Sequence, residues 1–178
     1  MTDPTRKALG NRLKALVRDI PDFPTPGIMF RDITTLLADG DAFREAIDGM
    51  ATDYTNIDKV VIIESRGFIL GTPIAYVLKA GVVPVRKPGR LPAPTWEEAY
   101  SLEYGENALE IHRDAIAPDD RVLIVDDLLA TGGTVRATIA LVEKLGGEIA
   151  GVSVLAELSE LNGRAAVGDY RVDSLIVY

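Results

Sequence analysis

The chain has 178 residues, of which 47% are hydrophobic, so it is long enough to form one domain with a sizeable core. A net charge of −8 argues against a general binder of nucleic acid or acidic membranes, and the lack of cysteine, with one histidine, excludes disulfides and thiolate or multi-histidine metal sites. The charged, proline-containing start is unlike a signal peptide and no apolar run is long enough to span a membrane, so we expect a cytoplasmic protein.

The first third of the chain combines two predicted helices with an apolar segment that has no regular pattern. Apolar residues recur at helical spacing from Pro4 to about Val17, and Phe43 to Met50 resembles a second helix. Between them, Asp22 to Ile33 contains prolines and a glycine that disfavour regular structure. Its side chains are too apolar for an ordinary surface loop, so we expect this segment to have a function.

From residue 59 onward, predicted strands alternate with predicted helices, which is the pattern of a parallel α/β sheet. The predicted strands are 59–63, 82–85, 109–111, 122–125, 148–157 and 174–177. The predicted helices are 71–79, with Pro73 in its first turn, and 135–145, which Gly146 and Gly147 end. Residues 88–106 are polar and rich in proline and glycine, and a loop of this length is usually functional or disordered.

The segment from Arg121 to Thr134 is the most informative in the chain. Its apolar strand stops at Asp126 and Asp127, and a glycine-threonine loop and the predicted helix follow. Paired glycines let the backbone approach a ligand closely, and the start of a helix attracts anions, so the loop is suited to phosphate. The two carboxylates would repel phosphate, but they could accept sugar hydroxyls or stabilise a developing cation. A ribose 5-phosphate would suit both the loop and the carboxylates. The alternative is an ordinary strand–turn–helix whose aspartates cap the helix.

Cationic residues follow two other predicted strands. Arg66, with Gly67, comes after the strand 59–63, and its guanidinium suits a pyrophosphate. Arg86 and Lys87 come after the strand 82–85, with Arg90 close behind. These cations could simply be a solvated strand end. Because the carboxyl ends of parallel strands meet at one crevice, we favour a shared anion site.

Two residues of the long loop are candidates for a cover over that crevice. Glu103 and Tyr104 could exclude water and act on a leaving or attacking group, although spacing alone favours scattered surface residues. His112 has no acid or nucleophile at a recognisable spacing, so we expect a structural role for it.

With these segments in view, the chain resembles the type I phosphoribosyltransferases, and within them the adenine-specific enzymes. Val122 to Thr134 is similar to the phosphoribosyl-pyrophosphate motif of that superfamily, and Asp22 to Asp32 is similar to the N-terminal hood of the adenine enzymes. Segments 64–68, 86–92 and 100–105 also match, and the resemblance covers nearly the whole chain. Position 90 departs from many relatives by carrying Arg in place of Lys, which keeps the charge.

The resemblance implies an α/β type I phosphoribosyltransferase fold, with a central, mostly parallel sheet flanked by helices. It implies one domain over residues 1–178, with an N-terminal helix and base-binding hood at 1–35 and a flexible catalytic loop at 86–107. The implied reaction is transfer of ribose 5-phosphate from phosphoribosyl pyrophosphate to N9 of adenine, which gives AMP and pyrophosphate in purine salvage.

The resemblance also implies a role for each matched position. The 5-phosphate would be held by Ala130, Thr131, Gly132, Gly133 and Thr134. The ribose hydroxyls would face Asp126 and Asp127, and pyrophosphate would face Arg66, Arg86, Lys87 and Arg90. Adenine would lie between Phe30 and Leu128, with backbone groups from Met29 to Arg31 reading its edge. Catalysis would rest on Asp126, Asp127 and Glu103, with Tyr104 helping to close the loop.

The implied cofactor is Mg²⁺, bound mainly through pyrophosphate and ribose oxygens, with no protein ligand assured. The implied partners are these small molecules and a second copy of the chain, and neither nucleic acid nor membrane. In the implied homodimer, the segment from Arg86 to Arg90 reaches towards the neighbouring active site. Two alternatives stay open: a transferase for guanine or xanthine, and a non-catalytic regulator that senses phosphoribosyl pyrophosphate. The acidic chain shows no basic face for such a regulator's nucleic acid.

Overall fold

The computed structural model describes residues 3–101 and 106–178, and it builds the fold around a central parallel sheet. The helices are α1 (Asp3–Lys14), α2 (Thr34–Ala38), α3 (Gly40–Ala51), α4 (Arg66–Leu78), α5 (Gly133–Leu145) and α6 (Gly163–Val167). The strands are β1 (Arg18–Ile20), β2 (Phe30–Asp32), β3 (Lys59–Ile63), β4 (Gly81–Val85), β5 (Thr95–Ser101), β6 (Glu106–His112), β7 (Arg121–Leu129), β8 (Glu148–Glu157) and β9 (Val172–Val177).

The central sheet has five parallel strands in the order β4-β3-β7-β8-β9, as the alternating pattern predicts. Its inner strands are continuous apolar runs because both faces are covered, and Val60 and Val61 of β3 are both fully buried. The order makes β4, β3 and β7 neighbours. The residues that follow these three strands therefore meet at one edge of the sheet.

Each face of the sheet carries its own apolar core. On one face, helices α1, α3 and α4 pack through a cluster that includes Leu13, Met50 and Leu70. On the other face, α5 and the antiparallel hairpin β5–β6 pack through Ile111, Leu141 and neighbouring valines. Within the described ranges, no helix is both long and apolar enough to cross a bilayer.

Two element boundaries differ from the prediction because of contacts with neighbouring elements. Helix α4 begins at Arg66 and not at Gly71, so Pro73 lies in the helix interior. Gly71 is there for packing, since a Cβ atom on it would lie 2.1 Å from a side-chain carbon of Ile62. Strand β7 does not stop at the aspartate pair but runs on to Leu129, because β8 continues beside it to Glu157.

Two further segments have regular structure that the sequence patterns did not reveal. Phe30–Asp32 forms β2, which pairs with β1 in a two-stranded sheet, although we expected the whole segment 22–33 to be irregular. Thr95–Ser101 forms β5, within the residues predicted to be a loop. The pairing partner of β5 is β6. The ring of Trp96 in β5 lies 4.2 Å from the guanidinium of Arg113 and 4.4 Å from the ammonium of Lys144 in α5, and the second contact anchors the hairpin on α5. Glu103 and Tyr104 lie outside the described residues.

Candidate active site

The aspartate pair lies where the sequence predicted it, at the carboxyl edge of the sheet in β7. Asp126 and Asp127 are only 7% and 6% exposed. The carboxylate of Asp126 accepts a hydrogen bond from the backbone N–H of Asp127 at 2.8 Å. An oxygen of Asp127 is 2.8 Å from a guanidinium nitrogen of Arg66, at the start of α4. The pair is therefore held rigidly by its own backbone and by one cation.

Burial sets the protonation behaviour of this pair. Burial raises the pKa of Asp126 well above its ordinary value, and the negative charge of Asp127 raises it further. Burial also raises the pKa of Asp127, against the lowering effect of Arg66. Two buried negative charges side by side are unfavourable without more positive charge nearby. The site can therefore stabilise a cation that forms next to it.

The predicted phosphate loop connects β7 to α5. Its turn is made by Gly132, which has a φ of +84° and caps the helix. A Cβ atom on Gly132 would lie 2.5 Å from the carbonyl oxygen of Gly163 and 2.8 Å from the Cβ of Ala166, so α6 supports the loop from behind. Thr131 is exposed, while Ala130, Gly133 and Thr134 are half-buried. The loop thus presents the N–H groups of the first turn of α5 to an anion.

A cleft of about 760 Å³ opens beside this loop, between α5, α6 and the hairpin. Thr131 and Gly133 of the loop line it, together with Tyr100 of the hairpin and Arg136 of α5. The phosphate loop is therefore accessible from the hairpin side.

The four predicted pyrophosphate-binding cations lie on two neighbouring segments. Arg66 begins α4, next to the aspartate pair, and its Nη1 is buried with no hydrogen-bond partner among the described residues. Arg86, Lys87 and Arg90 follow β4. Arg86 Nε is 2.9 Å and Arg90 Nε 3.6 Å from the carboxylate of Glu64, which also accepts the backbone N–H of Lys87. Glu64 thus gathers these three residues at the carboxyl end of β3.

The predicted base site is built on the two-stranded hood. The ring of Phe30 lies 5.1 Å from the guanidinium of Arg66, which brings the hood to the aspartate pair. Met29 is exposed, and Leu128 is half-buried against the apolar core on the hood side of the sheet. The side chain of Arg31 points away, pairing with Asp19 and stacking 4.0 Å from the ring of Tyr178. The side chain of Arg31 is therefore engaged by contacts within the protein.

Two carboxylates that organise this site, Glu64 and Glu110, had no role predicted from the sequence. Glu110 is 4% exposed in β6, and it accepts hydrogen bonds from the backbone N–H groups of Arg90 and Leu91 at 2.9 Å each. An acid between the apolar residues Leu109 and Ile111 was the available signal, because a buried carboxylate needs donors. No feature of the sequence indicated that α6 would support the phosphate loop.

Comparison with known proteins gives matches over nearly the whole chain. A family model described as the phosphoribosyl transferase domain matches residues 34–177. An adenine phosphoribosyltransferase from Synechocystis is 55% identical over 170 residues, covering 93% of this chain and 99% of the relative. The crystal structure of an adenine phosphoribosyltransferase from Rhodothermus marinus superposes with a TM-score of 0.92 at 49% identity, covering 96% of this chain and 99% of that one.

A third similar protein is described as bound to ligands. It is the adenine phosphoribosyltransferase from Saccharomyces cerevisiae, complexed with an imino-altritol 1,6-bisphosphate and adenine. It has a TM-score of 0.87 and 34% identity, covering 94% of this chain and 98% of the yeast chain.

Proposed function

This chain belongs to the phosphoribosyltransferase family, and we infer that it catalyses the adenine reaction of that family. It transfers ribose 5-phosphate from phosphoribosyl pyrophosphate to N9 of adenine, which gives AMP and pyrophosphate. The reaction makes the chain a glycosyltransferase of purine salvage. The similarity to adenine phosphoribosyltransferases, at 55% identity over 93% of the chain, supports adenine as the base.

The observation that carries the assignment is the position of Arg66 between two parts of the site. Its guanidinium pairs with Asp127 at 2.8 Å and lies 5.1 Å from the ring of Phe30 in the hood. A base on the hood and a ribose on the aspartates would therefore be neighbours, as bond formation between them requires. Nη1 of Arg66 is buried and has no hydrogen-bond partner in the part of the chain that the structure describes, so it is a donor available to an anionic ligand.

The chemistry follows from the charges around the sugar. As the bond from ribose C1 to pyrophosphate breaks, the ring acquires oxocarbenium character. Asp126 and Asp127 lie at the ribose position with raised pKa values, so a positive charge there relieves their mutual repulsion. The loop 130–134 fixes the far end of the substrate through its 5-phosphate. Binding energy at the phosphate is thereby used to place C1 between the base and the leaving group.

The leaving pyrophosphate is bound by Arg66, Arg86, Lys87 and Arg90. Mg²⁺ would accompany this substrate, and the substrate would supply most of its ligands. Among the described residues, no three His, Cys, Asp or Glu side chains form a cluster that could hold a metal, and Arg66 already occupies Asp127. When bound with the substrate, Mg²⁺ would supply positive charge against the departing pyrophosphate.

Adenine must lose its N9 proton as the new bond forms. Glu103 is assigned as the acceptor of that proton, with Tyr104 beside it excluding water. Both assignments rest on the match to the family's loop motif, since these residues lie outside the described ranges. Water exclusion matters because water would otherwise capture the ribosyl cation.

A parallel assay tests the proposed function directly. Pyrophosphate release is measured with phosphoribosyl pyrophosphate, Mg²⁺ and either adenine, guanine or hypoxanthine. We expect turnover with adenine to exceed turnover with the other two bases by at least about 10²-fold, since a site built for one hydrogen-bonding edge strongly rejects another. A preference for guanine would reject the adenine assignment, and no turnover with any base would favour the non-catalytic regulator.

We also propose that the chain acts in the cytoplasm as a homodimer formed through α4 and β4. Ile69, Tyr76 and Val77 on α4 are 47%, 86% and 48% exposed, and Val82 on the edge strand β4 is 43% exposed. These exposed apolar side chains lie on α4 and on the edge strand β4, and exposed apolar surface beside an open sheet edge is the kind of surface that partners cover. The segment 86–90 continues from that edge. A second copy docked there would lie next to the pyrophosphate-binding cations.

A further inference from the structure

Glu110 lies at the centre of a hydrogen-bond arrangement that nothing in the reaction described so far uses. It occupies the middle of β6, and its side chain is buried to 4% exposure. One carboxylate oxygen accepts the backbone N–H groups of Arg90 and Leu91 at 2.9 Å, and the other accepts the hydroxyl of Thr95 at 3.2 Å. Within the described ranges, Glu110 has no ion pair. A buried carboxylate that takes its donors from one short segment holds that segment in place.

The backbone of Glu110 adds to the same attachment. Its N–H donates to the carbonyl of Arg86 at 2.7 Å, and the N–H of Arg86 donates back to its carbonyl at 3.0 Å. Glu110 therefore contacts the segment 86–91 at both of its ends. Between them, Gly89 makes the turn with a φ of +78°.

Glu64 also holds the segment 86–91, but it does so through different groups. It pairs with the side chains of Arg86 and Arg90, and Arg86 Nη1 donates to the carbonyl of Arg90 at 3.1 Å. Glu64 thus holds cationic groups, whereas Glu110 holds mainly backbone. Burial raises the pKa of Glu110, but the hydrogen bonds from the N–H groups of Arg90, Leu91 and Gly89 outweigh that effect and the pKa is lowered.

We propose that Glu110 is a positioning residue for the leaving group, which fixes the backbone of residues 86–91 so that Arg86, Lys87 and Arg90 are preorganised for pyrophosphate. This inference rests on the proposed function. Preorganised cations bind a polyanion more tightly than cations on a mobile segment, because the segment loses its conformational entropy on folding and not on binding. The role is confined to one end of the substrate, since no described contact of Glu110 reaches the phosphate loop.

Two inhibitors report separately on the binding sites for the two ends of the substrate. Inorganic pyrophosphate probes the segment 86–91, and ribose 5-phosphate probes the loop 130–134. The inhibition constant of each is measured against AMP synthesis for the unsubstituted protein and for Glu110→Ala. We expect the constant for pyrophosphate to rise by about tenfold or more, and the constant for ribose 5-phosphate to change by less than about twofold. The measurement uses the whole assembly, so it does not depend on which subunit's pyrophosphate the cations bind.

Further variants control for loss of stability. Glu110→Asp keeps the charge but withdraws the oxygens by one methylene, so it should show the same selective rise to a smaller degree even if Glu110→Ala does not fold. Glu110→Gln keeps an acceptor for the two N–H groups and should restore much of the pyrophosphate affinity. Ile111→Val is the matched control, because it weakens the same strand at a fully buried position and leaves the hydrogen bonds between Glu110 and residues 86–91 in place. It should leave both inhibition constants unchanged.

The outcomes distinguish the inference from the function on which it rests. Equal weakening of both inhibitors in Glu110→Ala and Glu110→Asp, or no change in either, would reject the positioning role while AMP synthesis by the unsubstituted protein stands. No AMP synthesis by the unsubstituted protein would reject the proposed function, and this inference with it.

Discussion

Asp126 is a residue whose burial is unfavourable for folding and whose charge the proposed reaction uses. Burial, and then the charge of Asp127, raise its pKa above the ordinary value of 3.8. Its ionised form is therefore less favourable in the folded state than in the unfolded chain. The folded state loses stability as the pH rises from the unfolded pKa through the raised pKa, and below the unfolded pKa the penalty is absent.

We therefore expect Asp126→Asn to stabilise the fold at about pH 8, with a gain that shrinks towards about pH 4. Asn keeps an oxygen that can accept the N–H of Asp127, as Asp126 does at 2.8 Å. Turnover should fall by about 10²- to 10³-fold because one charge facing the ribose is lost. Thermal denaturation at several pH values and steady-state kinetics test both parts. If Asp126→Asn were less stable than the parent at high pH, the predicted direction of the stability change would be wrong.

Gly132 and Gly146 form a matched pair of glycines with the same φ of +84°. At Gly146 an added Cβ would meet Pro118 at an ordinary 3.5 Å, whereas at Gly132 it would collide with the carbonyl of Gly163 at 2.5 Å. Gly146→Ala should lower the free energy of unfolding by about 1 kcal/mol, or Tm by roughly 2–4 °C, because alanine is less stable than glycine in the left-handed conformation. Gly132→Ala should in addition raise the KM for phosphoribosyl pyrophosphate by about tenfold or more, since the loop must move. Equal KM values in the two variants would remove the phosphate role from this loop.

Glu103 is the residue whose role is tested most simply by kinetics. If it accepts the N9 proton, Glu103→Gln should lower kcat by about 10²- to 10⁴-fold with little change in substrate binding. Single-turnover measurement at saturating substrate isolates the chemical step. If the Gln variant kept near-normal turnover, Glu103 would only order the loop, and Asp126 and Asp127 would carry catalysis alone.

The hood is an element with very little core of its own, so its position depends on contacts at its base. Strand β1 pairs with β2 through three residues on each side, and Arg18 pairs with the buried Asp32. The ring of Tyr178 lies 4.0 Å from the guanidinium of Arg31 and 4.1 Å from the ammonium of Lys14. One aromatic ring thus ties the hood to α1 and to the sheet.

Removing that ring should loosen the base site selectively. We expect Tyr178→Ala to raise the KM for adenine by roughly two- to thirtyfold, the equivalent of about 0.5–2 kcal/mol of cation–π interaction. The KM for phosphoribosyl pyrophosphate should change less, because its loop lies on the other side of β7. Tyr178→Phe keeps the ring and serves as the control. An unchanged KM for adenine in Tyr178→Ala would show that the hood is held by other contacts.

For the whole molecule, the proposed dimer predicts that the two edges of the sheet differ. Tyr76, beside the edge strand β4, is 86% exposed, and Val177, on the opposite edge strand β9, is 51% exposed. Tyr76→Arg should shift the chain towards monomer, because it puts a charge in place of the most exposed of these apolar side chains, while Val177→Arg should leave the mass unchanged. Sedimentation at assay concentration gives both masses. A monomer with full activity in the unsubstituted protein would reject the dimer.

The sequence by itself determined the parallel α/β sheet and the positions of its strands. Lys59–Ile63 and Glu148–Glu157 have the predicted bounds, because a strand covered on both faces must be apolar throughout. The order of strand, aspartate pair, glycine loop and helix was also readable, since these residues are adjacent in the chain. Family membership and the adenine reaction are supported by the comparisons, and the roles of individual site residues stay predictions.

Only the tertiary structure decided which distant segments meet. That Arg66 joins Asp127 to Phe30, that α6 supports Gly132, and that Glu110 holds the backbone of Arg90 all depend on how the elements pack. Local patterns carry no record of such contacts. They misread Gly71 as a helix start when it is a point of close packing, and they assigned Thr95–Ser101 to a loop because its partner strand lies further along the chain. Local composition fixes the period of an element, whereas its neighbours are fixed by burial and hydrogen bonding across the fold.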